Sequence, residues 1–208
     1  MIEKNIKGEI HMYSIHPFEP FIPQNATKLI IGTIPPYRFC INPQKLFDND
    51  VNFYYGSKDN YFWDMLAQAT DTQFERKNTE SAINQRKALL TNLNIGITDI
   101  VEKCIHKDGK SDDASLEIIT LKPIEELLLK SHKVDTLIYT SRFIIKQMNR
   151  VADKSYHSWK IPNKIGSVVI NGKTYNVIVL YSPSPTALRS VDADTRLTQY
   201  KNVFGKQQ

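Results

Sequence analysis

The sequence has few of the features that mark membrane, secreted or metal-binding proteins. No apolar run approaches the roughly 20 residues that span a bilayer, and the N-terminal stretch MIEKNIKGEIHMYS lacks the apolar core of a signal peptide. Only two cysteines, Cys40 and Cys104, occur, without the paired spacing of a zinc or iron-sulfur site. We therefore expect a cytoplasmic protein that does not bind membranes and keeps its thiols reduced.

Neither the histidines nor the glycines form a pattern that indicates a bound metal or nucleotide. The scattered histidines lack metal-ligand spacing, and no glycine-rich stretch has the pattern of a phosphate-cradling loop. We expect no metal and no cofactor. The histidines are His11, His16, His106, His132 and His157.

The overall composition is that of a globular protein. Hydrophobic residues make up 41% of the chain and charged residues 24%, so the chain has enough apolar surface to form a core. A length of 208 residues suits one domain. We expect a single, monomeric domain over 1–208, with a core at about 27–205 and an N-terminal extension at 1–26.

Positive charge is concentrated in one part of the chain. The net charge is +5, yet residues 142–173 alone carry +6, with Tyr156, His157 and Trp159 between the cations. Such a segment can follow a phosphate backbone and stack on bases; an ordinary solvated helix and loop is the alternative. The basic residues are Arg142, Lys146, Arg150, Lys154, Lys160, Lys164 and Lys173.

Short apolar runs alternate with helical patterns along the chain. This alternation predicts an α/β fold, a single-domain three-layer α/β/α arrangement with a central, mainly parallel four-stranded sheet. The predicted strands are 28–34, 95–101, 134–139 and the second arm, 175–181, of a hairpin at 166–181 that turns at Asn171-Gly172. The predicted helices are 62–70, 80–93, 121–130, 142–151 and 192–204.

Ligands of such sheets bind beyond the carboxyl ends of the strands. Four segments rich in turn formers and small hydroxyls fall there, at 32–36, 53–60, 98–115 and 181–186. In this order they resemble the uracil-DNA glycosylase superfamily, most closely its mismatch-specific and hypoxanthine-DNA glycosylase branches. The similar motifs, within about 29–204, are GTIP at 32–35, YGSKDNYFW at 55–63, GITD at 96–99 and SPSP at 182–185.

The resemblance implies a monofunctional, cofactor-free DNA glycosylase that removes a deaminated base, uracil or hypoxanthine. Its partner would be DNA containing a damaged or mismatched base, and the base would be flipped out of the stack. Tyr55 is expected to stack on that base, with core packing as the alternative. The turn residues implied to read the base edge are Gly32, Thr33, Ile34, Pro35 and Tyr37, whereas Phe62 and Trp63 are assigned to the core.

The catalytic position departs from the wider superfamily. Many relatives carry a water-activating Asp or Asn where this chain has Ile34, and the hypoxanthine branch points instead to Asn60. Orientation of a weak nucleophile by an amide suits a dissociative reaction, while a helix N-cap is the alternative role for Asn60. Asp59 and Thr33 are further catalytic candidates.

The last motif is implied to hold the DNA. Hydroxyls of the Ser-Pro turn would bind phosphates, and a side chain beyond it would fill the gap left by the base. The alternative is a stiff turn whose hydroxyls bond their own backbone. The DNA-binding candidates are Ser182, Pro183, Ser184, Thr186, Leu188, Arg189, Lys154, Lys160 and Lys164.

Two further functions stay open. The chain could be a catalytically silent DNA-binding module, as Ile34 suggests, or an enzyme that handles free nucleosides. Of the polar residues in 98–115, Asp99 lies where a strand ends, and Asp113 or Ser115 is predicted to cap a helix.

Overall fold

The computed structural model describes residues 2–4, 10–42, 45–110, 112–156, 165–185, 187 and 191–205. The strands are β1 (Ile2–Lys4), β2 (Ile10–Met12), β3 (Ser14–Ile15), β4 (Lys28–Gly32), β5 (Ile95–Asp99), β6 (Val101–His106), β7 (Leu116–Leu121), β8 (Thr136–Tyr139), β9 (Lys154–Tyr156), β10 (Ile165–Ile170) and β11 (Lys173–Val179). The helices are α1 (Tyr37–Ile41), α2 (Phe62–Thr70), α3 (Glu80–Asn92), α4 (Ile124–Lys130), α5 (Arg142–Met148) and α6 (Ala193–Phe204).

The main sheet has the strand order β5-β4-β8-β11-β10-β9. The first four strands are parallel, and β10 and β9 continue the sheet in antiparallel pairing. The predicted mainly parallel α/β fold is therefore confirmed. The predicted number of strands is wrong, because both arms of the hairpin and the short β9 join the sheet.

Strand β4 lies inside the sheet and is covered on both faces. Leu29 and Ile31 point into an aliphatic layer, which also contains Leu128 from α4 and Ile144 from α5. Ile30 points into the opposite layer, which is rich in aromatic rings. Because side chains alternate along a strand, burial on both sides explains why this segment is continuously apolar.

The aromatic layer lies under helices α2, α3 and α6. Its buried members include Phe62 and Trp63, as the sequence predicts, together with Leu90 and Tyr200. Helix α2 has the predicted bounds, and it ends at Asp71, which adopts a left-handed φ of 51°. This layer therefore supports the start of α2, which follows the YGSKDN segment.

Residues 101–121 differ from the prediction. The predicted strand 95–101 divides at Ile100 into β5 and β6, and β6 pairs with β7 in a small sheet of order β3-β6-β7. Helix α4 accordingly begins at Ile124, after Pro123, because residues 116–121 already belong to β7. The alternation of exposed and half-buried residues in β7 is typical of a strand on a solvated sheet.

The predicted hairpin turn is confirmed by its backbone. Asn171 and Gly172 have φ values of 50° and 74°, as a type I′ turn requires at both central positions. In the part of the chain that the structure describes, no helix has the length and apolar character needed to cross a membrane.

Candidate active site at the strand ends

Three predicted segments meet where β4 and β5 end. A Cβ atom on Gly32 would lie 2.1 Å from Asp99 Oδ1 and 2.2 Å from the Tyr55 hydroxyl oxygen. Both distances are far below van der Waals contact, so no side chain fits at position 32 while Asp99 and Tyr55 keep their places. The close approach explains the glycine and brings an aromatic hydroxyl and a carboxylate to one point.

Tyr55 is held at both of its ends. Its ring stacks on Phe62, with 4.4 Å between centroids and 24° between planes, and its hydroxyl hydrogen-bonds Thr140 Oγ1 at 2.7 Å. The backbone at Tyr55 has a φ of 54°, which is uncommon for a bulky residue. Burial, and then the charge of Asp99, raise the pKa of the Tyr55 hydroxyl well above its usual value. One ring face therefore packs in the core, as the alternative prediction proposed.

Asp99 belongs to a buried chain of hydrogen-bonded polar groups, with His16 and Lys122, that the sequence patterns do not indicate. Asp99 Oδ2 lies 2.9 Å from His16 Nε2, and the Lys122 ammonium lies 3.0 Å from His16 Nδ1. The Phe18 N–H also donates to Nδ1 at 3.1 Å. Nδ1 also lies 2.9 Å from the Phe18 carbonyl oxygen, which the Lys122 ammonium already donates to at 2.8 Å. Because the ammonium can only donate, we assign Nδ1 as the acceptor and place the proton on Nε2, which then donates to Asp99. The remaining oxygen, Oδ1, faces Gly32.

No local signal could have identified this chain of groups. His16 and Asp99 are separated by 83 positions, and Lys122 lies just after β7, at a position predicted to belong to the helix 121–130. All three residues are buried. Only the position of Asp99 at a strand end indicated the site, and its direct partner, His16, comes from the segment that was predicted to be an N-terminal extension.

Asp113 approaches the same edge of the sheet from the loop after β6. Its Oδ2 accepts a hydrogen bond from Ser141 Oγ at 3.3 Å, and the Thr33 side chain is a second hydroxyl beside it. Burial raises the pKa of Asp113 above its usual range, and the neighbouring charges of Asp112 and Asp99 act in the same direction.

The predicted capping role of Asp113 or Ser115 is wrong. Asp112 caps the short 3-10 helix Asp113–Ser115, because it accepts from the Ser115 N–H at 3.1 Å and from the Ser115 hydroxyl at 2.7 Å. Asp112 meets the need for a cap, so the Asp113 carboxylate is left to face Thr33 and Ser141.

Asn60 uses its amide oxygen to begin helix α2. Asn60 Oδ1 accepts the Phe62 N–H at 2.9 Å, although the N-cap position itself is held by Tyr61. Asn60 therefore binds the first N–H of the helix from one residue before the N-cap position. The Nδ2 group is the donor that remains. Tyr55 and Asn60 both line a small open depression, together with Trp63, Arg76 and Arg86, and no residue of the Gly32 turn lines it.

Asp59, the neighbouring catalytic candidate, lies on the surface. It pairs with Lys58 at 3.0 Å and approaches Arg38 at 3.5 Å, and about half of its side chain is exposed. The solvated ion pairs describe a loop surface and leave no contact between Asp59 and the Gly32 turn in the described structure.

An ion pair beneath this loop fixes its shape. Arg38 Nε and Nη2 each donate to Asp50 at 2.8 Å, and Nη2 also donates to Ser57 Oγ at 2.8 Å. Asp50 further accepts the N–H groups of Phe47 and Lys58. This network joins helix α1 to the segment that carries Tyr55 and Asn60.

The Ser-Pro turn touches the same loop. The Tyr61 N–H donates to the Pro183 carbonyl at 3.1 Å, which places the turn beside Asn60. Ser182 Oγ accepts from the Ser184 N–H and donates to Ser184 Oγ, both at 3.3 Å, as the alternative of a self-bonded turn proposed. The buried Arg196 holds the turn from below by donating to the carbonyls of Ser182 and Ala187.

The other predicted contacts have mixed outcomes. Ile34 packs against the aliphatic layer. Tyr37 begins α1 and meets the His106 ring edge-on, with centroids 5.4 Å apart, and the Pro35 carbonyl accepts from the Cys40 thiol at 3.6 Å. Thr186, Leu188, Arg189, Lys160 and Lys164 lie outside the described residues, as does the side chain of Lys154, although its backbone begins β9.

Cys40 and Cys104 are unpaired thiols. Among the residues that the structure describes, no cluster of three or more His, Cys, Asp or Glu side chains could hold a metal ion.

The arrangement is that of an α/β/α protein with a polar site at the strand ends. The chain is similar to the solution NMR structure of a "putative Uracil DNA glycosylase" from Methanosarcina acetivorans, with a TM-score of 0.58 and 18% sequence identity over 93% of this chain and 97% of that chain. Identity this low establishes a shared fold and no more. No protein-family model matches the sequence, and no curated protein matches it either.

Proposed function

We propose that the protein is a DNA base-excision glycosylase that hydrolyses the N-glycosidic bond of a deaminated base, uracil or hypoxanthine, flipped from DNA. The observation that carries the proposal is the convergence of Gly32, Tyr55 and Asp99 at the strand ends of a fold shared with a glycosylase-like structure. A glycosylase must bind its target base in a pocket after the base has left the stacked duplex.

Each part of the site has a role in this proposal. The base enters against the turn at 32–37, where backbone groups of Gly32, Thr33, Ile34 and Pro35 and the side chain of Tyr37 border it. Tyr55 offers the ring face that does not pack on Phe62. Stacking of this kind contributes about 1 to 3 kcal/mol per base, which offsets part of the unstacking cost.

Water orientation falls to Asn60 through its Nδ2 group, because Oδ1 already accepts the Phe62 N–H. Thr33 and Asp59 remain the further catalytic candidates, of which Thr33 belongs to the turn and Asp59 lies on the loop surface. The flanking DNA is bound by the Ser-Pro turn and the basic segment, through Ser182, Pro183, Ser184, Thr186, Leu188, Arg189, Lys154, Lys160 and Lys164. Cation contacts to phosphates make such binding weaken steeply with salt.

The direct test is base release from labelled oligonucleotides. The full chain is incubated in excess with duplex and single-stranded DNA containing uracil, hypoxanthine or a methylated base, and abasic sites are counted by alkaline cleavage. We expect release of uracil or hypoxanthine without added metal or cofactor. A Gly32→Leu variant, purified in the same way, is the matched control, since its side chain would occupy the space at Asp99 and Tyr55.

Two other outcomes identify the alternative functions. Tight binding of the modified duplex without release from any substrate indicates a silent DNA-binding module, which the apolar Ile34 favours. Hydrolysis of free uridine or inosine at rates above those for DNA indicates an enzyme acting on nucleosides. Either outcome contradicts the proposed reaction.

A further inference from the structure

Hydrolysis of a glycosidic bond by water leaves a proton that must be accepted. Ile34 cannot accept it, and the Asn60 amide oxygen is already bonded to the Phe62 N–H at 2.9 Å. The Nδ2 group of Asn60 can donate to water but cannot take its proton. If the proposed function holds, the proton acceptor must come from another residue at the strand ends.

Two carboxylates lie there, and their partners differ. Asp99 receives the His16 Nε2–H at 2.9 Å, with the Lys122 ammonium behind the imidazole. Among the described residues no Lys, Arg or His forms an ion pair with Asp113, and its neighbours are the hydroxyls of Ser141 and Thr33. One oxygen of Asp99 is bonded to His16 and the other packs toward Gly32, whereas Asp113 has acceptor capacity to spare beside Ser141 and Thr33. Burial without a cationic partner also makes the Asp113 carboxylate more basic, so Asp113 is the carboxylate suited to accept a proton.

Asp113 is also joined to the base-binding residues. Ser141, which donates to Asp113, follows Thr140, and Thr140 Oγ1 is bonded to the Tyr55 hydroxyl at 2.7 Å. The Asp113 charge acts on the Tyr55 hydroxyl and on Asp99, so the three groups share one electrostatic environment. Asp113 is only partly buried, so solvent reaches this residue.

We propose that Asp113 is the catalytic residue that accepts the proton of the attacking water in the proposed glycosylase reaction. The water oxygen bonds to C1′ of the sugar as the bond from C1′ to the base nitrogen breaks. The electron pair of that bond leaves with the base. One water proton passes to Asp113, and the departing base takes up a proton from solvent.

This role makes the rate depend on the ionisation of Asp113. The groups that face it are the carboxylates Asp99 and Asp112 and the hydroxyls of Thr33 and Ser141. Because only the ionised form accepts a proton, base release should fall as the pH drops through the pKa of Asp113. Burial places this midpoint above the usual aspartate value.

The test compares Asp113→Asn with Asp112→Asn in the full chain. An amide at position 113 keeps an acceptor for Ser141 and removes the basic oxygen, whereas Asn at position 112 still caps the 3-10 helix. Single-turnover release is measured from pH 4.5 to 8.5 on the duplex, uracil or hypoxanthine, that the wild-type protein cleaves. Binding is measured with the 2′-fluorinated, non-cleavable form of the same duplex.

We expect Asp113→Asn to slow release by roughly 100-fold or more, as loss of a general base commonly does. Binding should change by less than about 3-fold, which corresponds to under 1 kcal/mol, and the acid limb of the pH profile should disappear. Asp112→Asn should keep the rate at neutral pH and the acid limb, with the midpoint moved to lower pH because one neighbouring carboxylate charge is gone.

The two proposals fail in different ways. If the wild-type protein releases base and Asp113→Asn releases it equally fast with the same pH profile, Asp113 is not the base and the proposed function stands. If Asp113→Asn loses binding and thermal stability together with rate, its role is structural and the assignment is overturned. If the wild-type protein releases no base from any DNA, both proposals are overturned.

Discussion

Asp50 lies between helices α1 and α2, Asp113 lies between strands β6 and β7, and the two carboxylates differ in what surrounds them. Asp50 accepts from Arg38 Nε and Nη2 and from two backbone N–H groups, all within 3.0 Å. Asp113 has a hydrogen bond to Ser141 at 3.3 Å and the Thr33 hydroxyl nearby. The first carboxylate is saturated with donors, and the second has spare acceptor capacity.

Their pKa values move in opposite directions as a result. Burial alone would raise the pKa of Asp50, but hydrogen bonds from Arg38 and from the N–H groups of Lys58 and Phe47 hold it below the usual value. Burial raises the pKa of Asp113, and hydroxyl donors oppose it only in part. A saturated carboxylate stabilises a loop, whereas one that lacks a cation can exchange protons.

The largest stability change is expected at Asp50. Asp50→Asn removes the charge that Arg38 needs, and breaking a buried ion pair on one side commonly costs about 3 to 5 kcal/mol. Because Arg38 is partly exposed, with 26% of its side chain accessible, we expect a loss of about 3 kcal/mol in the free energy of unfolding by urea.

Asp59→Asn is the matched control, since Asp59 also approaches Arg38 but is half exposed. It should cost less than about 1 kcal/mol, as exposed ion pairs do. If Asp50→Asn and Asp113→Asn lower the unfolding free energy equally, the distinction between a structural and a chemical carboxylate is broken.

His106 extends the comparison to a group that burial keeps neutral. Its Nδ1 lies 2.8 Å from Ser14 Oγ, Nε2 has no partner in the described structure, and burial lowers its pKa from 6.5 to about 4. Between pH 6.5 and about 4, this histidine is therefore protonated in the unfolded chain and neutral in the folded chain. Stability should be fully present above pH 6.5 and should fall as the pH drops from 6.5 toward 4.

The measurement is the urea unfolding free energy of wild type and His106→Asn at pH 7 and pH 4.5. At 1.36 kcal/mol per pKa unit, the wild-type loss from this group is roughly 2 kcal/mol over that interval, and His106→Asn should reduce it. His132 is exposed, so His132→Asn should keep the wild-type loss. Equal losses in all three proteins would show that His106 is not the sensor.

The local parts of this structure could be predicted from the sequence. Helix α2 and the turn at Asn171-Gly172 depend on short-range patterns. These are an apolar run after Asn60, whose amide oxygen accepts the first helical N–H, and a dipeptide that tolerates positive φ. The apolar strand β4 was predicted for the same reason, although it ends at Gly32, two residues before the predicted end.

The polar site could be predicted only in part. Gly32 and Tyr55 were identified through ordered motifs, but the partners of Asp99 come from positions 16 and 122, and no spacing rule links them. Asp113 was taken for a cap because Asp and Ser favour caps, and its neighbour Asp112 has that role. The contacts of Asp113 with Thr33 and Ser141 depend on how β4 and β8 lie side by side, which is a property of the assembled sheet.

Asn60 combines a structural and a proposed chemical role in one amide. Oδ1 accepts the Phe62 N–H at the start of helix α2, and Nδ2 is the proposed donor to water. Asn60→Ala should lower the unfolding free energy by about 1 kcal/mol, the usual net contribution of one hydrogen bond. Asn60→Asp should keep that stability, since a carboxylate oxygen accepts the same N–H.

Base release separates the two functions of this amide. A donor role for Nδ2 predicts that Asn60→Asp slows single-turnover release as much as Asn60→Ala, by about 10-fold, or about 1.4 kcal/mol in the barrier, because both variants lack the N–H. If Asn60 serves only to start helix α2, Asn60→Asp should release base at the wild-type rate. Asn60→Ala should also release base at that rate when the assay temperature lies well below its unfolding transition. Equal release rates in all three proteins would therefore remove Asn60 from the reaction and leave it as the residue that begins helix α2 beneath Tyr55.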